Sequence, residues 1–498
     1  MIGALLLAAT ATVTSTPLVQ WGPPGVRPPS FAIVIGNNHP LPGSDYERLR
    51  YADDDAMRVA SFLEGLGTQV YLLAGVDQET AARFGDRANR ARVPTREALE
   101  AALEDVTRAM EVVEDRNPEL YFYFSGHGTV TAAEAYLHLV DEPFSRTDLA
   151  ELVLRKVPAY RKHVIIDSCH SYFLVSSRGQ RVPAALTEDT LERHPNTGFL
   201  LSTSAEEEVQ EWSGYQAGVF SYQVLGALQG AADVDGDGIV TYAEVQGYLV
   251  AANHEVDNAK VRIQPFVRRP HTRGKSLVDL RVVEPERRLH VDAELAGHFY
   301  ISDAAGRRVL DANKPAGMAL ALVTEREREL YLFAERSVHR IEPRPDGLVL
   351  GAPLADATDR LASRGPIADE LRRSLFKRTL TPEFVAGVEA MALQTTSTTL
   401  DAPYVAAVSW HDDNVTVAFL GSGLAIMGGG AVLSMLAADA TADANVRPIT
   451  QEGIDASQRV GPLRAGAVTA FSVGATALII GIVRAIVSNE LLAEEPAP

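Results

Sequence analysis

The sequence predicts an α/β protein: a mostly parallel sheet flanked by helices, then a small antiparallel β domain and a C-terminal two-helix transmembrane hairpin. Three observations carry this. Between residues 31 and 250, short apolar runs without internal charge alternate with amphipathic helical segments, the pattern of a sheet covered on both faces. Residues 280–352 instead hold short, partly alternating runs with turn residues between them, as an antiparallel sheet does. Two uncharged stretches, 415–438 and 465–483, contain 24 and 19 residues, each enough to cross ~30 Å of hydrocarbon as a helix.

Taken in order, MIGALLLAATA is a short apolar run with a small-x-small end, and residues 1–16 fit a secretory signal peptide followed by the Gly/Pro-rich WGPPGVRPP. FAIVIG (31–36) reads as the first strand, and Tyr51–Glu64 has helical spacing in Ala52, Ala56, Met57, Ala60 and Leu63. QVYLLAG (69–75) is a strand, and Thr95 caps a long helix ending near Glu114. LYFYFSG (120–126), AYLHLVD (135–141), HVIIDSC (163–169) and GFLLSTS (198–204) are four further strand-like runs. Ser145-Arg-Thr-Asp148 forms a capping box before another helix. Functional groups of such a sheet gather at the carboxyl ends of its strands. RRLHVDAEL, GHFYISDA, MALALVT, ELYLFAE and GLVLG supply the β domain, and residues 355–400 read as a polar helical connector. GKS at 274–276 is no phosphate-binding loop, because Arg269 holds the position of its first glycine.

Composition narrows the partners. With 46 Lys+Arg against 65 Asp+Glu the net charge is −19 and no basic block stands out, which argues against nucleic acid. The single cysteine, Cys169, excludes an internal disulfide, a multi-Cys zinc site and a CxxC redox pair. Arg447, Arg459 and Arg464 lie between the two uncharged stretches. By the positive-inside rule they put that loop in the cytoplasm and the body outside, anchored in the cell envelope. A cytoplasm-facing body, and a Gly/Ala-rich buried hairpin in place of the spans, are the alternatives.

Two apolar strands end in reactive groups. His127 follows one, between Gly126 and Gly128, and Cys169 closes another. A thiolate attacks a peptide carbonyl, and a neighbouring imidazole takes the thiol proton and returns it to the leaving amine. YFYFSGHG followed about 40 residues later by IIDSCHS resembles the caspase-like cysteine peptidases. D-S-C-H-S is nearer to metacaspases than to animal caspases, which read Q-A-C. FAIVIGNN, the L-x-x-A-D-D-D-A stretch (49–56) and GVFSYQVLGALQGAADVDGDG extend the resemblance over residues 28–255.

The resemblance implies a caspase-like sheet with His127 as general base and Cys169 as nucleophile. It places the Gly128 amide in the oxyanion hole. Tyr172 stands where metacaspases usually have glycine. Asp167 and Ser125 each precede a dyad residue by two and so share its side of the strand, and Asp55 matches the acidic pocket residue of metacaspases. Together Asp55, Ser125 and Asp167 would hold a Lys or Arg side chain of a protein or peptide substrate and repel an acidic one. Simple pairing with an arginine such as Arg50 is the alternative for the carboxylates. Residues 177–196 form a polar loop of the kind cut between the two halves of family members. His163 and His298 read as structural or surface residues. A non-catalytic envelope scaffold with the same fold is the alternative to an enzyme.

Residues 233–244 match an EF-hand loop at each ligand position: Asp233, Asp235, Asp237, the Ile239 carbonyl, Thr241 and Glu244, with Gly238 at the sharp turn. Amphipathic segments flank the loop, so Ca²⁺ is the expected cofactor.

Overall fold

Uncharged runs such as Phe31–Ile35 can settle only where both sheet faces are covered, and that is where the computed structural model puts them. It describes residues 21–392 except 26, 45, 132–133, 169–170, 172–192, 204–210, 259–261, 272–275, 325–328 and 355–365, with helical backbone to 400 and a few single residues beyond. The signal-peptide residues 1–16 lie outside the described residues. The chain divides into two compact units, Met1–Leu393 and Gln394–Pro498, and the elements below belong to the first.

The central sheet holds β1 (Ser30–Asn37), β2 (Gln69–Ala74), β3 (Glu119–Gly126), β4 (Arg161–Asp167), β5 (Thr197–Thr203) and β6 (Gln264–Arg268), in the order β6-β5-β4-β3-β1-β2. All neighbours run parallel except β6, which is antiparallel to β5. The two-residue period of a strand deals β1 to both faces. Ala32 and Val34 pack in the core with Ala56, Val59, Ala60 and Leu63 of helix α1 (Ala52–Gly65). Phe31, Ile33 and Ile35 pack on the other side with Leu99, Ala102, Val106 and Met110. Those four lie on a long helix, Arg96–Glu111, whose first turn is capped by Thr95 as expected.

Two strand expectations change. Ala135–His138 does not join the parallel sheet; it is the middle strand of a small antiparallel sheet with Gly128–Val130 and Pro143–Ser145. Only short connections separate these runs, and a parallel crossover needs a dozen residues or more. The Ser145–Asp148 capping box is present as expected, although its helix continues as a π-helical segment, Leu149–Arg155. The edge strand β6, QPFVR, was not foreseen, because a strand with one neighbour tolerates proline and charge.

The second sheet contains β7 (Arg288–Val291), β8 (Gly297–Asp303), β9 (Arg308–Lys314), β10 (Leu320–Val323), β11 (Leu330–Ala334), β12 (Ser337–Arg344) and β13 (Gly347–Pro353). Their order is β9-β8-β11-β12-β13-β7-β10, antiparallel except for the β7–β13 pair. Charged β9 and β12 carry no alternation legible in the sequence.

This sheet shares one core with the first. Phe220, Leu228 and Tyr248 pack in the same cluster as Ile301, Leu310 and Leu322. Fully buried Asp311 is the polar joint. It accepts the Tyr222 hydroxyl at 2.6 Å, Arg308 Nη1 at 2.8 Å and His298 Nε2 at 2.7 Å, while its carbonyl accepts the Tyr248 hydroxyl at 2.6 Å. Helices Pro366–Ser374 and Pro382–Leu400 occupy the expected connector, and Leu371, Leu375 and Phe376 join that core.

Among the described residues no helix is long and apolar enough to cross a membrane, so the expected hairpin gains no support here. The stretches 415–438 and 465–483 lie outside the described residues apart from Leu436, Ala438 and Ala470.

Candidate active site

His127 stands where the chain leaves the end of β3. A Cβ on Gly126 would lie 2.9 Å from the Phe124 ring and 3.0 Å from the Asn37 carbonyl oxygen, so glycine is what lets the turn pass. The imidazole is 6% exposed. Its Nε2 is buried with no hydrogen-bond partner among the described residues. An imidazole whose Nε2 is unprotonated can act there as a general base. Burial holds its pKa below the usual 6.5, with the Glu47 carbonyl opposing. Tyr46 and His138 lie against the ring with centroids at 5.4 and 5.9 Å.

β3 and β4 are parallel and in register, with Ser125 beside Asp167. His127 and Cys169 are each two residues past that pair. Neighbouring strands run ~4.8 Å apart, so the register sets Ser125 and Asp167 side by side at the ends of β3 and β4. Cys169 itself lies outside the described residues, as do His170, Tyr172 and the loop 177–192. Gly128 opens the small antiparallel sheet opposite Leu137, and the His127 carbonyl accepts the His138 amide at 3.0 Å.

The three consecutive aspartates that open α1 take three different partners. Asp53 accepts Asn38 Nδ2 at 2.7 Å and the Asp77 amide at 3.0 Å, and Asp54 pairs with Arg83 at 2.6 Å. Asp55 accepts the Gly218 amide at 2.8 Å. Asp167 accepts the Ser221 amide at 3.0 Å and its hydroxyl at 2.6 Å, and Tyr123 shares a proton with that hydroxyl at 2.5 Å.

Gly218 sits between the two carboxylates: a Cβ there would be 2.7 Å from Asp167 Oδ2 and 3.1 Å from Asp55 Oδ2. Burial pushes the Asp55 pKa well up, against Arg58, and that of Asp167 up to about 6, against its Ser221 bonds. The nearest cation to Asp55 is Arg58 at 3.6 Å, not Arg50, whose amide donates to Glu211 at 3.0 Å. The structure thus brings Asp55, Ser125 and Asp167 to one end of the sheet.

Ser221, Gly218, Tyr123, Glu211 and the Glu47 carbonyl were not foreseen. Gly218 and Ser221 lie in GVFSYQ, quoted above for its family resemblance, but a backbone amide and a hydroxyl leave no spacing signature. His163 and His298 are structural: His163 is buried against the Tyr242 hydroxyl at 2.7 Å, and His298 bonds Asp311.

The loop 233–244 joins helix α2 (Val219–Gly226), with its π-helical extension Ala227–Ala231, to α3 (Tyr242–Asn253). Carboxylate oxygens of Asp233, Asp235 and Asp237 lie within 4.8 Å of one another. Gly238 has φ +80°, the left-handed turn an EF-hand needs at this position. The Gly238 amide donates to Asp233 at 3.1 Å and the Ile239 amide to Asp237 at 2.6 Å. Asp233 is 2% exposed, yet its Oδ1 has no partner among the described residues. Glu244 accepts the Thr241 amide at 2.9 Å and hydroxyl at 2.8 Å, and the Val234 amide at 3.2 Å. These hard oxygens suit a calcium ion, which Asp233, Asp235, Asp237, the Ile239 carbonyl, Thr241 and Glu244 could hold.

The caspase domain family matches residues 29–275. No curated protein matches the chain. Among solved structures, a protein from Geobacter sulfurreducens is similar at 18% identity and TM-score 0.31, over 48% of this chain and 93% of that one. Pro-sf-caspase-1 is similar at 14% identity and TM-score 0.29, over 52% and 96%. A protein titled only as a protease is similar at 11% identity and TM-score 0.23, over 64% and 67%.

Proposed function

Because the chain belongs, through residues 29–275, to the caspase-domain family, we propose that it is a cysteine endopeptidase cutting protein substrates after Arg or Lys. In this reading the Cys169 thiolate attacks the scissile carbonyl and His127 Nε2 takes the thiol proton. The proton passes to the leaving amine, and water activated by the same imidazole hydrolyses the thioester. The observation that carries the reading is His127: a buried ring just past the end of β3, with Nε2 unpartnered among the described residues.

The basic preference rests on the two desolvated carboxylates around Gly218. A substrate guanidinium or ammonium reaching these carboxylates would supply the positive charge that burial makes valuable. Calcium binding rests on the loop's donor set and on the buried, unsatisfied Asp233 Oδ1. Bound there, the ion would neutralise the acidic loop and fix the approach to α2, which carries Ser221. Envelope tethering rests on sequence alone: the uncharged stretches 415–438 and 465–483 and the apolar N-terminus.

The test is turnover of matched Arg- and Asp-terminated fluorogenic peptides by the intact protein and by Cys169→Ala, with and without Ca²⁺. Turnover of the Arg peptide alone, lost in Cys169→Ala, is expected. Equal turnover of both peptides would remove the acidic pocket from the account. Turnover that survives in Cys169→Ala would remove the peptidase reading.

A further inference from the structure

Between α1 and the second sheet lies a cleft that none of the dyad residues lines. Among the described residues its lining includes five arginines, Arg58, Arg83, Arg287, Arg307 and Arg308, and one acid, Asp303. Its apolar part is Phe62, Leu225, Val309 and Leu330, with Gln229 and Thr324 as neutral polar groups. Clefts at the seam of two packed layers are where small ligands most often bind.

Most of these guanidiniums are partly answered. Arg83 pairs with Asp54 at 2.6 Å and Glu79 at 3.1 Å, Arg307 with Asp303 at 2.9 Å, and Arg308 with Asp311 at 2.8 Å. Arg287 donates to the Gly65 carbonyl at 3.2 Å, and it passes so close that a Cβ on Gly65 would meet it at 2.2 Å. The remaining polar groups have no hydrogen-bond partner among the described residues. Arg58 Nη1 is buried and makes no hydrogen bond, its nearest acid being Asp55 at 3.6 Å. Gln229 Oε1 and Thr324 Oγ1 are buried without partners in residues 5% and 1% exposed. Native proteins leave few such atoms, and here three line one cleft. Burial holds the Arg83 pKa below its usual value; the like charges of Arg58 and Arg307 add to this and Asp54 opposes it.

We propose that this cleft binds a small phosphorylated molecule. The anionic group would be taken by Arg58, Arg83 and Arg307 and by the Thr324 hydroxyl. The body of the ligand would lie on Phe62, Leu225, Val309 and Leu330. Guanidinium forks match phosphate oxygens in pairs, and an added dianion relieves the mutual repulsion of the arginines. A neutral or cationic ligand would do neither. The proposal does not depend on the peptidase reading, and its test reads binding alone.

The experiment is calorimetric titration of the intact protein with inorganic diphosphate and, separately, with ADP, at fixed ionic strength, alongside Arg58→Gln and Arg307→Gln. Saturable binding of at least one probe is expected, weakened about tenfold or more in each variant, as befits loss of a charge-assisted hydrogen bond. Tighter binding of ADP than of diphosphate would assign a share to the apolar wall. If an arginine variant does not fold, Thr324→Val replaces it, since the Thr324 hydroxyl has no partner among the described residues to lose and is one of the groups assigned to the anion; weakened binding is again expected. No saturable binding of either probe, or unaltered affinity in the folded variants, overturns the proposal.

Discussion

Replacing Asp311 with alanine should unfasten the second sheet from the α/β body. The carboxylate is fully buried and holds three donors at once: Arg308 at 2.8 Å, His298 at 2.7 Å and Tyr222 at 2.6 Å. Burial alone would raise its pKa, but Arg308, His298 and Tyr222 outweigh burial and hold it below 3.8. It is therefore charged at neutral pH, and its removal takes from the Arg308 guanidinium, 8% exposed, the carboxylate that lies 2.8 Å from it. Breaking a buried pair from one side costs about 3–5 kcal/mol. The orphaned Tyr222 hydroxyl adds about 1–3 kcal/mol, partly overlapping.

Urea unfolding of the intact protein at pH 7 should show a loss of at least about 3 kcal/mol for Asp311→Ala. The double variant Arg308→Met/Asp311→Leu should recover most of it, because an apolar pair of similar volume is close to neutral. A loss below about 1 kcal/mol, the range of an exposed pair, would refute the reasoning. So would a double variant no better than the single one. A depressed carboxyl pKa stabilises above the unfolded value and is lost as pH falls through the folded one. The Asp311→Ala deficit should thus be complete at pH 5 and shrink only below about pH 3.8.

Other outcomes follow from the site. Gly218→Ala puts a methyl 2.7 Å from Asp167 Oδ2 and 3.1 Å from Asp55 Oδ2, so KM for an Arg peptide should rise while alkylation of Cys169 by iodoacetamide continues. Asp167 has a raised pKa, about 6 against 3.8, and the sign is opposite to that of Asp311. The folded state binds its proton more tightly, so this group favours folding less as pH rises from about 4 to 6. Asp167→Asn should flatten that part of the stability profile in thermal melts. Glu244→Gln removes the bidentate ligand of the calcium loop and should weaken Ca²⁺ binding at least about tenfold by calorimetry; unchanged affinity would remove the ion from Asp233–Glu244.

The sequence made the central strands legible because the middles of β1, β3 and β4, residues 31–35, 120–124 and 164–166, are uncharged. Gly126-His127-Gly128 and the DxDxDG loop were legible because their chemistry fixes residue types at fixed spacing. What escaped reading was held by context. β9 and β12 carry charges that tertiary partners absorb, such as Arg308 and Asp311. Ala135–His138 has the composition of a sheet strand, but its short connections divert it to a hairpin. Ser221 and Gly218 meet Asp167 and Asp55 across more than fifty residues of chain, a relation no local pattern records. Asp55 was separable from Asp53 and Asp54 only by resemblance, since three adjacent identical residues look alike until their partners are seen.

The core common to both sheets bears on how the chain is made. Tyr248 and Leu249 pack in one cluster with Leu310, Leu322, Leu371 and Phe376, and the Phe376 amide donates to the Ala252 carbonyl at 2.9 Å. A polypeptide emerging from the ribosome at ~5–20 residues per second would hold the outer face of α2 and α3 bare for several seconds after residue 275 appears. That face is tyrosine- and leucine-rich, the kind of surface that sticks to other chains. The family boundary at residue 275 is thus an evolutionary boundary and not a folding one. A ribosome that stalled there would present a client for chaperones, and the caspase-domain body would be finished only once the segment through Phe376 had closed over it.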